Sequence, residues 1–95
     1  MIEKVEQIVA EHFGISVDQM RSGKTRPDND ARHILWYFLH CGLGFRGSAI
    51  AKRYGVAARN VYYYSSLVKE GLAREPFYSK NCSEIQAKLK GVEII

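Results

Sequence analysis

The side chains that most often carry catalysis or bind metals are few and scattered in this sequence. His12, His33 and His40 are separated by intervals that fit no zinc-binding pattern. His40 and Cys41 are neighbours, so on a helix they would point in different directions. No Ser-His-Asp set and no pair of carboxylates can be argued for. The sequence therefore predicts a protein that is not an enzyme and that uses no metal, cofactor or small-molecule substrate.

Three consecutive tyrosines raise one further catalytic alternative, a nucleophile of the kind that breaks DNA strands. Successive side chains on a helix point about 100° apart, so Tyr62, Tyr63 and Tyr64 would not act together. No histidine pair is spaced to hold a metal beside them. We therefore expect Tyr64 to pack in the core, and Tyr62 and Tyr63 to belong to a contact face.

The same segment carries side chains that suit nucleic acid. We expect five of them to be exposed on one helix: Arg59, Asn60, Tyr62, Tyr63 and Ser66. Arginine and asparagine can reach base edges or phosphates, hydroxyls can do the same, and tyrosine rings can contact thymine methyl groups. Ala57 and Ala58 keep the leading end of the helix slim, so that it can approach a groove.

Residues 48–71 have the spacing of a helix-turn-helix, in which two helices cross steeply around a short turn. Ala51 must be small because the second helix packs over it. Gly55 supplies the positive φ that the turn needs. Val56 and Val61 fill the angle between the helices.

Helical periodicity covers most of the chain, and no strand pattern is visible. The predicted helices span about residues 2–13, 17–21, 29–40, 47–54, 58–71 and 83–90. The predicted N-terminal caps are Ser16 with Gln19 for the second helix, Asp28 or Asn29 for the third, and Asn81 with Glu84 for the last. The third helix is apolar nearly all round, so we expect it to be central. The predicted fold class is all-α, a single six-helix domain over residues 1–95.

Positive charge is concentrated in the middle of the chain. Residues 21–59 contain eight basic and two acidic residues, whereas the rest contains six basic and eight acidic residues. Within this segment, residues 21–30 have a glycine, a proline and no large apolar side chain, which predicts an exposed basic loop. Such a distribution suits a one-sided surface for a polyanion, and an ordinary solvated charged face is the alternative.

The length, the cysteines and the hydropathy of the chain limit the class of protein to which it can belong. The 95 residues fit one domain. Cys41 and Cys82 lie far apart, the first residues do not resemble a signal peptide, and no apolar run approaches the ~18 residues of a membrane span. We therefore expect a cytoplasmic protein with two reduced thiols and no membrane partner.

Several stretches together resemble one family. They are IVAEHFGISVD at 8–18, the basic stretch at 21–26, ARHILWYFL at 31–39, IAKRYG at 50–55, and a tail with Glu75, Phe77, Ile85 and Leu89. From about residue 5 to residue 89, the chain resembles the C-terminal DNA-binding domain (domain IV) of the bacterial replication initiator DnaA, which has the Trp-repressor-like fold.

The resemblance implies roles for particular residues. In that family the recognition helix enters the major groove, which implies this role for Arg59 and Asn60. The basic loop and the arginine that opens the central helix reach the adjacent minor groove, which implies that role for Arg26 and Arg32, with Lys24 beside them. The family signature Gly-Arg-Asp-His-Thr-Thr-Val is replaced here by Val-Ala-Ala-Arg-Asn-Val at 56–61, one residue shorter. A Gly-x-x-x-x-Gly-Lys-[Ser/Thr] loop is absent, so the chain is not a complete initiator.

These observations predict binding of double-stranded DNA by a stand-alone bacterial regulator or accessory of replication or mobile DNA. The alternative is a protein-protein interaction module that kept the fold and lost the specific DNA contacts. The changed signature favours the alternative, whereas the basic loop, Arg32 and Arg59 favour DNA.

Overall fold

The core forms around one central helix whose apolar side chains face several neighbours. In the computed structural model, which describes residues 1–92, Ile34, Leu35 and Leu39 are fully buried and Trp36 is 2% exposed. The α-helices are α1 (Ile2–Phe13), α2 (Val17–Ser22), α3 (Arg26–Tyr37), α4 (Gly47–Tyr54), α5 (Ala58–Gly71) and α6 (Pro76–Gly91). Helix α3 packs against α1, α2 and α5, and α6 packs against α1 and α5.

The predicted all-helical class with six α-helices is confirmed. No strand occurs among residues 1–92. Helix α1 has the predicted bounds, and its end is marked by Gly14 in the left-handed conformation at φ 68°. The predicted cap of α2 is also present, because Ser16 Oγ accepts from the Gln19 N–H at 3.0 Å and Gln19 Oε1 accepts from the Ser16 N–H at 2.9 Å.

The predicted start of the third helix at residue 29 is wrong, because α3 begins at Arg26. The Asp28 carboxylate is buried and accepts a hydrogen bond from the Thr25 N–H at 3.3 Å. Thr25 is therefore the N-cap residue, and Asp28 is its partner inside the first turn. Pro27 fits the same turn, where the missing N–H costs nothing. The predicted ten-residue loop is in consequence only the short connection at 23–25.

The predicted end of the third helix at residue 40 also needs correction. The α-helix stops at Tyr37 and continues as one π turn, Phe38–Gly42, in which the Leu43 N–H donates to the Phe38 carbonyl at 2.9 Å. The wider turn changes the direction of successive side chains. Phe38 and Leu39, the first two residues of this turn, are both buried, at 3% and 0% exposure.

The last helix begins seven residues before the predicted start at 83. Pro76 opens α6, a position that suits proline because its nitrogen needs no hydrogen-bond partner there. The predicted cap by Asn81 and Glu84 is wrong, because Asn81 lies inside the helix. Its Nδ2 donates to the Phe77 carbonyl at 2.7 Å, and its Oδ1 lies 2.8 Å from His12 Nε2 on α1.

Helices α4 and α5 have the predicted bounds and pack against each other. Gly55 ends α4 with φ 66°, in the left-handed region that favours glycine. Ala51 is 4% exposed and Val61 is fully buried, as the packing argument requires. Three residues, 55–57, join the two helices.

One buried carboxylate, that of Glu6, joins three helices. Glu6 is 1% exposed, and it accepts hydrogen bonds from Arg21 Nη2 at 2.8 Å, from Arg53 Nη2 at 3.1 Å and from the Tyr54 hydroxyl. Burial raises the pKa of Glu6, but these hydrogen bonds outweigh it and lower the pKa to about 2. The network therefore ties α1 to α2 and α4.

We expect Glu6→Gln to destabilise the protein by about 3 kcal/mol, because it leaves two guanidinium groups without their buried partner. The matched control is Glu3→Gln. Glu3 is 73% exposed and lies 3.6 Å from Arg53, so its loss should cost at most about 0.5 kcal/mol. Urea unfolding at pH 7 measures both, and equal losses would contradict the assignment.

The stability difference between wild type and Glu6→Gln should also depend on pH. Since the folded pKa of about 2 lies below the ordinary value of 4.5, the stabilisation is fully present above pH 4.5 and is lost as the pH falls toward 2. The same unfolding experiment between pH 7 and pH 3 should show the difference narrowing, whereas a constant difference would exclude an ionised Glu6.

Candidate nucleic-acid interface

The exposed side of α5 brings together the side chains that the sequence predicted for it. Five predicted residues, which we call the α5 face, are all exposed: Arg59, Asn60, Tyr62, Tyr63 and Ser66. All but Asn60 lie on one stripe, because their spacings of three, four and seven residues repeat the helical period. Val61, Ser65 and Val68 are buried on the opposite side. Ala57 is exposed at the N-cap position, where the chain enters the helix.

Tyr62 is held in place by a glycine and a histidine from outside α5. A Cβ atom on Gly47 would lie 2.5 Å from Tyr62 Cζ, so only glycine lets the ring cover the first turn of α4. The His40 ring meets Tyr62 edge-on, with 5.1 Å between ring centroids. Its Nδ1–H donates to the Phe45 carbonyl at 2.8 Å, which fixes the imidazole. Tyr62 remains 45% exposed, so it can still contact a ligand.

Sequence reasoning missed His40 and Gly47 as supports of the α5 face. His40 faces Tyr62 from the π turn Phe38–Gly42, which periodicity does not predict. Gly47 had one usable signal, since glycine at the first position of a helix suggests a close contact.

Tyr63 is supported by a chain of rings that starts in the core. Tyr63 meets Tyr64 edge-on at 5.1 Å, and Tyr64 stacks on His33 at 3.8 Å with only 5° between the planes. His33 and Tyr64 both lie about 6 Å from the Trp36 ring, at 5.6 and 6.2 Å. Burial, with a smaller effect of the nearby Arg32, lowers the pKa of His33 to about 4. The stacked imidazole is therefore neutral at pH 7.

The eight basic residues of the segment 21–59 divide into two groups. Lys24, Arg46, Lys52 and Arg59 are exposed, and none forms a side-chain hydrogen bond or ion pair with another residue in the described range 1–92. The others have internal partners. Arg21 and Arg53 bind Glu6, as described above.

Arg32 occupies the end of α2 rather than open solvent. Its Nη1 donates to the carbonyls of Met20 at 2.7 Å and Gly23 at 3.2 Å, and its Nη2 donates to Asn29 Oδ1. Carbonyls at a helix C-terminus have no partner within the helix, so Arg32 satisfies them. Arg32 thus fixes the connection at 23–25, and a direct contact between Arg32 and DNA stays a prediction.

Lys24 and Arg26 lie at the junction of α2 and α3, apart from the α5 face in sequence. Lys24 is on the connection, whereas Arg26 is the first residue of α3 and not a loop residue. The Arg26 side chain is 92% exposed and lies 3.7 Å from the Asp30 carboxylate one turn later. Exposed pairs of this kind are weak, so Arg26 remains available to an external anion.

Neither a cluster of metal-ligating side chains nor a membrane-spanning helix occurs in residues 1–92. No group of three or more potential metal-ligating His, Cys, Asp or Glu side chains occurs there. Cys41 and Cys82 are both free thiols, and burial raises the pKa of Cys82 to about 11. No helix in this range is both long and apolar enough to cross a bilayer.

Comparisons with known proteins add no family to this description. The chain matches no protein-family model, and it has no significant match among curated protein sequences.

The two roles of arginine in this region can be separated by substitution. Arg32→Ala should destabilise the protein by about 1–3 kcal/mol, because it leaves the carbonyls at the end of α2 without a donor. Arg26→Ala serves as the matched control and should change stability by less than about 0.5 kcal/mol, since the side chain is almost fully exposed. Thermal melting of both variants checks this, and a neutral Arg32→Ala would show that its hydrogen bonds do not stabilise the fold.

Proposed function

We propose that the protein binds double-stranded DNA, with α4 and α5 acting as a helix-turn-helix and α5 as its recognition helix. The observation that carries the proposal is the α5 face, an exposed stripe of hydrogen-bonding and aromatic side chains that begins with Arg59. A recognition helix contacts base edges mainly through its N-terminal residues. Arg59 and Asn60 are the second and third residues of α5.

The distribution of charge supports the same orientation. Within the basic segment 21–59, the exposed cations without internal partners come from the connection before α3, from α4 and its N-cap, and from the start of α5: Lys24, Arg46, Lys52 and Arg59. Near the far end of α5, the exposed Lys69 and Glu70 carry opposite charges, so positive charge is in excess only at the start of the helix. Phosphates would favour the basic end, so the first half of α5 would lie in the groove.

Lys24 and Arg26 would contact the adjacent minor groove or its phosphates, as the resemblance to the DnaA C-terminal domain implies. Arg32 would support them by holding the connection at 23–25, in addition to any contact of its own. We propose the family relationship on the same footing, together with a cytoplasmic role in replication or in mobile DNA.

One observation favours the alternative function, a protein-protein interaction module. Three arginines of the basic segment are engaged in internal hydrogen bonds, namely Arg21, Arg32 and Arg53, so less charge is available to phosphates than the sequence suggests. A surface with four unpaired cations could bind an acidic protein instead.

The salt dependence of binding distinguishes these functions. If four to six phosphates are contacted, the slope of log affinity against log salt for a random duplex should be about −3.5 to −5.5. Fluorescence anisotropy of a labelled duplex between 50 and 200 mM salt, about the range over which such slopes are measured, gives the value. Absence of binding at low salt would favour the protein-interaction alternative.

Two sites should show different phenotypes in the same assay. Arg59→Ala should cost about 1–3 kcal/mol on a preferred sequence and reduce discrimination among sequences, because arginine at a recognition helix reads base edges. The double variant Lys24→Ala/Arg26→Ala should weaken all duplexes by similar factors and reduce the salt slope by about two, because it removes phosphate contacts.

The control for both is Lys90→Ala, which removes a positive charge from the end of α6. It should leave affinity and slope nearly unchanged. A reversed pattern, with sequence preference lost in the Lys24/Arg26 variant and retained in Arg59→Ala, would move recognition away from α5.

A further inference from the structure

Tyr63 combines high exposure with a fixed position. Its side chain is 59% exposed, more than any other large apolar or aromatic side chain in the helices of residues 1–92. An exposed ring of this size normally gains by packing against something. Because it lies in the middle of α5 rather than on a loop, it cannot turn inward without moving the helix.

The ring chain behind Tyr63 limits how it can move. Tyr64, which Tyr63 meets edge-on, is itself stacked against His33. His33 follows Arg32, which donates hydrogen bonds to carbonyls at the end of α2, so the stack is built on a part of α3 that is tied to α2. The surface ring is therefore positioned before any ligand arrives, which lowers the entropic cost of binding.

The neighbours of Tyr63 along the stripe indicate what it would contact. Arg59 lies one turn before it, and Leu67, which is 38% exposed, lies one turn after it. Tyr63 and Leu67 thus form an apolar pair that follows the cation Arg59 along one side of α5. The positive charge of Arg59 is complementary to a polyanion. For Tyr63 and Leu67 to pack against the same ligand, that polyanion must present a methyl group in its groove. In the major groove of DNA only thymine offers one, at C5.

We propose that Tyr63, together with Leu67, packs against thymine C5-methyl groups, so that the preferred duplex has thymine where these two side chains enter the major groove. The inference rests on the proposed DNA binding and adds to it the chemical feature that is recognised. Tyr63 is thus a specificity-determining residue, distinct from Arg59 and from the phosphate contacts.

Replacement of thymine by deoxyuridine tests this directly, because the two differ only in the methyl group and keep the same pairing and charge. A preferred duplex would first be selected from a random pool with the full chain. Each thymine in it would then be replaced singly by deoxyuridine. At one or two positions the affinity should fall about fourfold, the value expected for one buried methyl group.

Two substitutions at Tyr63 assign the effect to its ring. Tyr63→Phe keeps the ring and should keep the deoxyuridine penalty, whereas Tyr63→Ala should abolish the penalty at one position, the thymine that Tyr63 contacts, because Leu67 is unchanged. The exposed site should tolerate both changes, and melting temperatures confirm that the variants are folded. Comparing the thymine and deoxyuridine duplexes in wild type and in each variant separates the methyl contact from any general loss of affinity.

The outcomes distinguish this inference from the proposed function. Three outcomes overturn the inference alone, provided that salt-dependent binding is observed. They are the absence of a deoxyuridine penalty, an unchanged penalty in Tyr63→Ala, and a selected duplex that lacks thymine. Absence of duplex binding overturns both. Self-association of wild type that Tyr63→Ala abolishes would identify a second copy of the chain as the occupant and would also overturn the inference.

Discussion

The structure depends on one buried ion network, in which Glu6 holds Arg21, Arg53 and Tyr54. A carboxylate at 1% exposure is tolerated only if its charge is matched by donors. The two guanidinium groups and the hydroxyl supply them from α2 and α4, so the positions of these helices relative to α1 are linked. Since α4 packs against α5, the same network fixes the support on which the α5 face stands.

This network also explains why the net charge of residues 21–59 overestimates the positive charge that is available to a ligand. By sequence, residues 21–59 carry an excess of positive charge. In the structure, part of that charge compensates Glu6, which lies outside the segment, and Arg32 is committed to the end of α2. A count of basic residues does not distinguish an arginine that stabilises the fold from one that is available to a ligand. They differ only in their partners, and sequence position does not reveal those partners.

Local signals predicted most of the fold, and the differences come from local signals that were missed as well as from tertiary contacts. The bounds of α1, α4 and α5 could be predicted because apolar periodicity and the glycines at 14 and 55 agree. The starts of α3 and α6 were predicted too late, although each carries a local signal. Thr25 and Asp28 have capping-box spacing, and Pro27 and Pro76 stand in the first turns of their helices. At α6 the side chain that suggested a cap, that of Asn81, instead contacts His12 on α1, and this long-range contact is not visible in the sequence.

The candidate site shows the same division at the level of single side chains. Helical spacing was sufficient to place Arg59, Tyr63 and Ser66 on one exposed stripe. It was not sufficient to show that one tyrosine rests on Gly47 and the next on a stack of rings, because these supports come from α3, the π turn and α4. The two exposed rings are thus held by different elements, and Tyr64, which follows them in the sequence, faces inward and connects Tyr63 with Trp36. Such supports stabilise the fold, and they also fix the orientation of the exposed rings. Because oriented rings stand beside an Arg59 without an internal partner, the α5 face is the surface on which the proposed DNA binding rests.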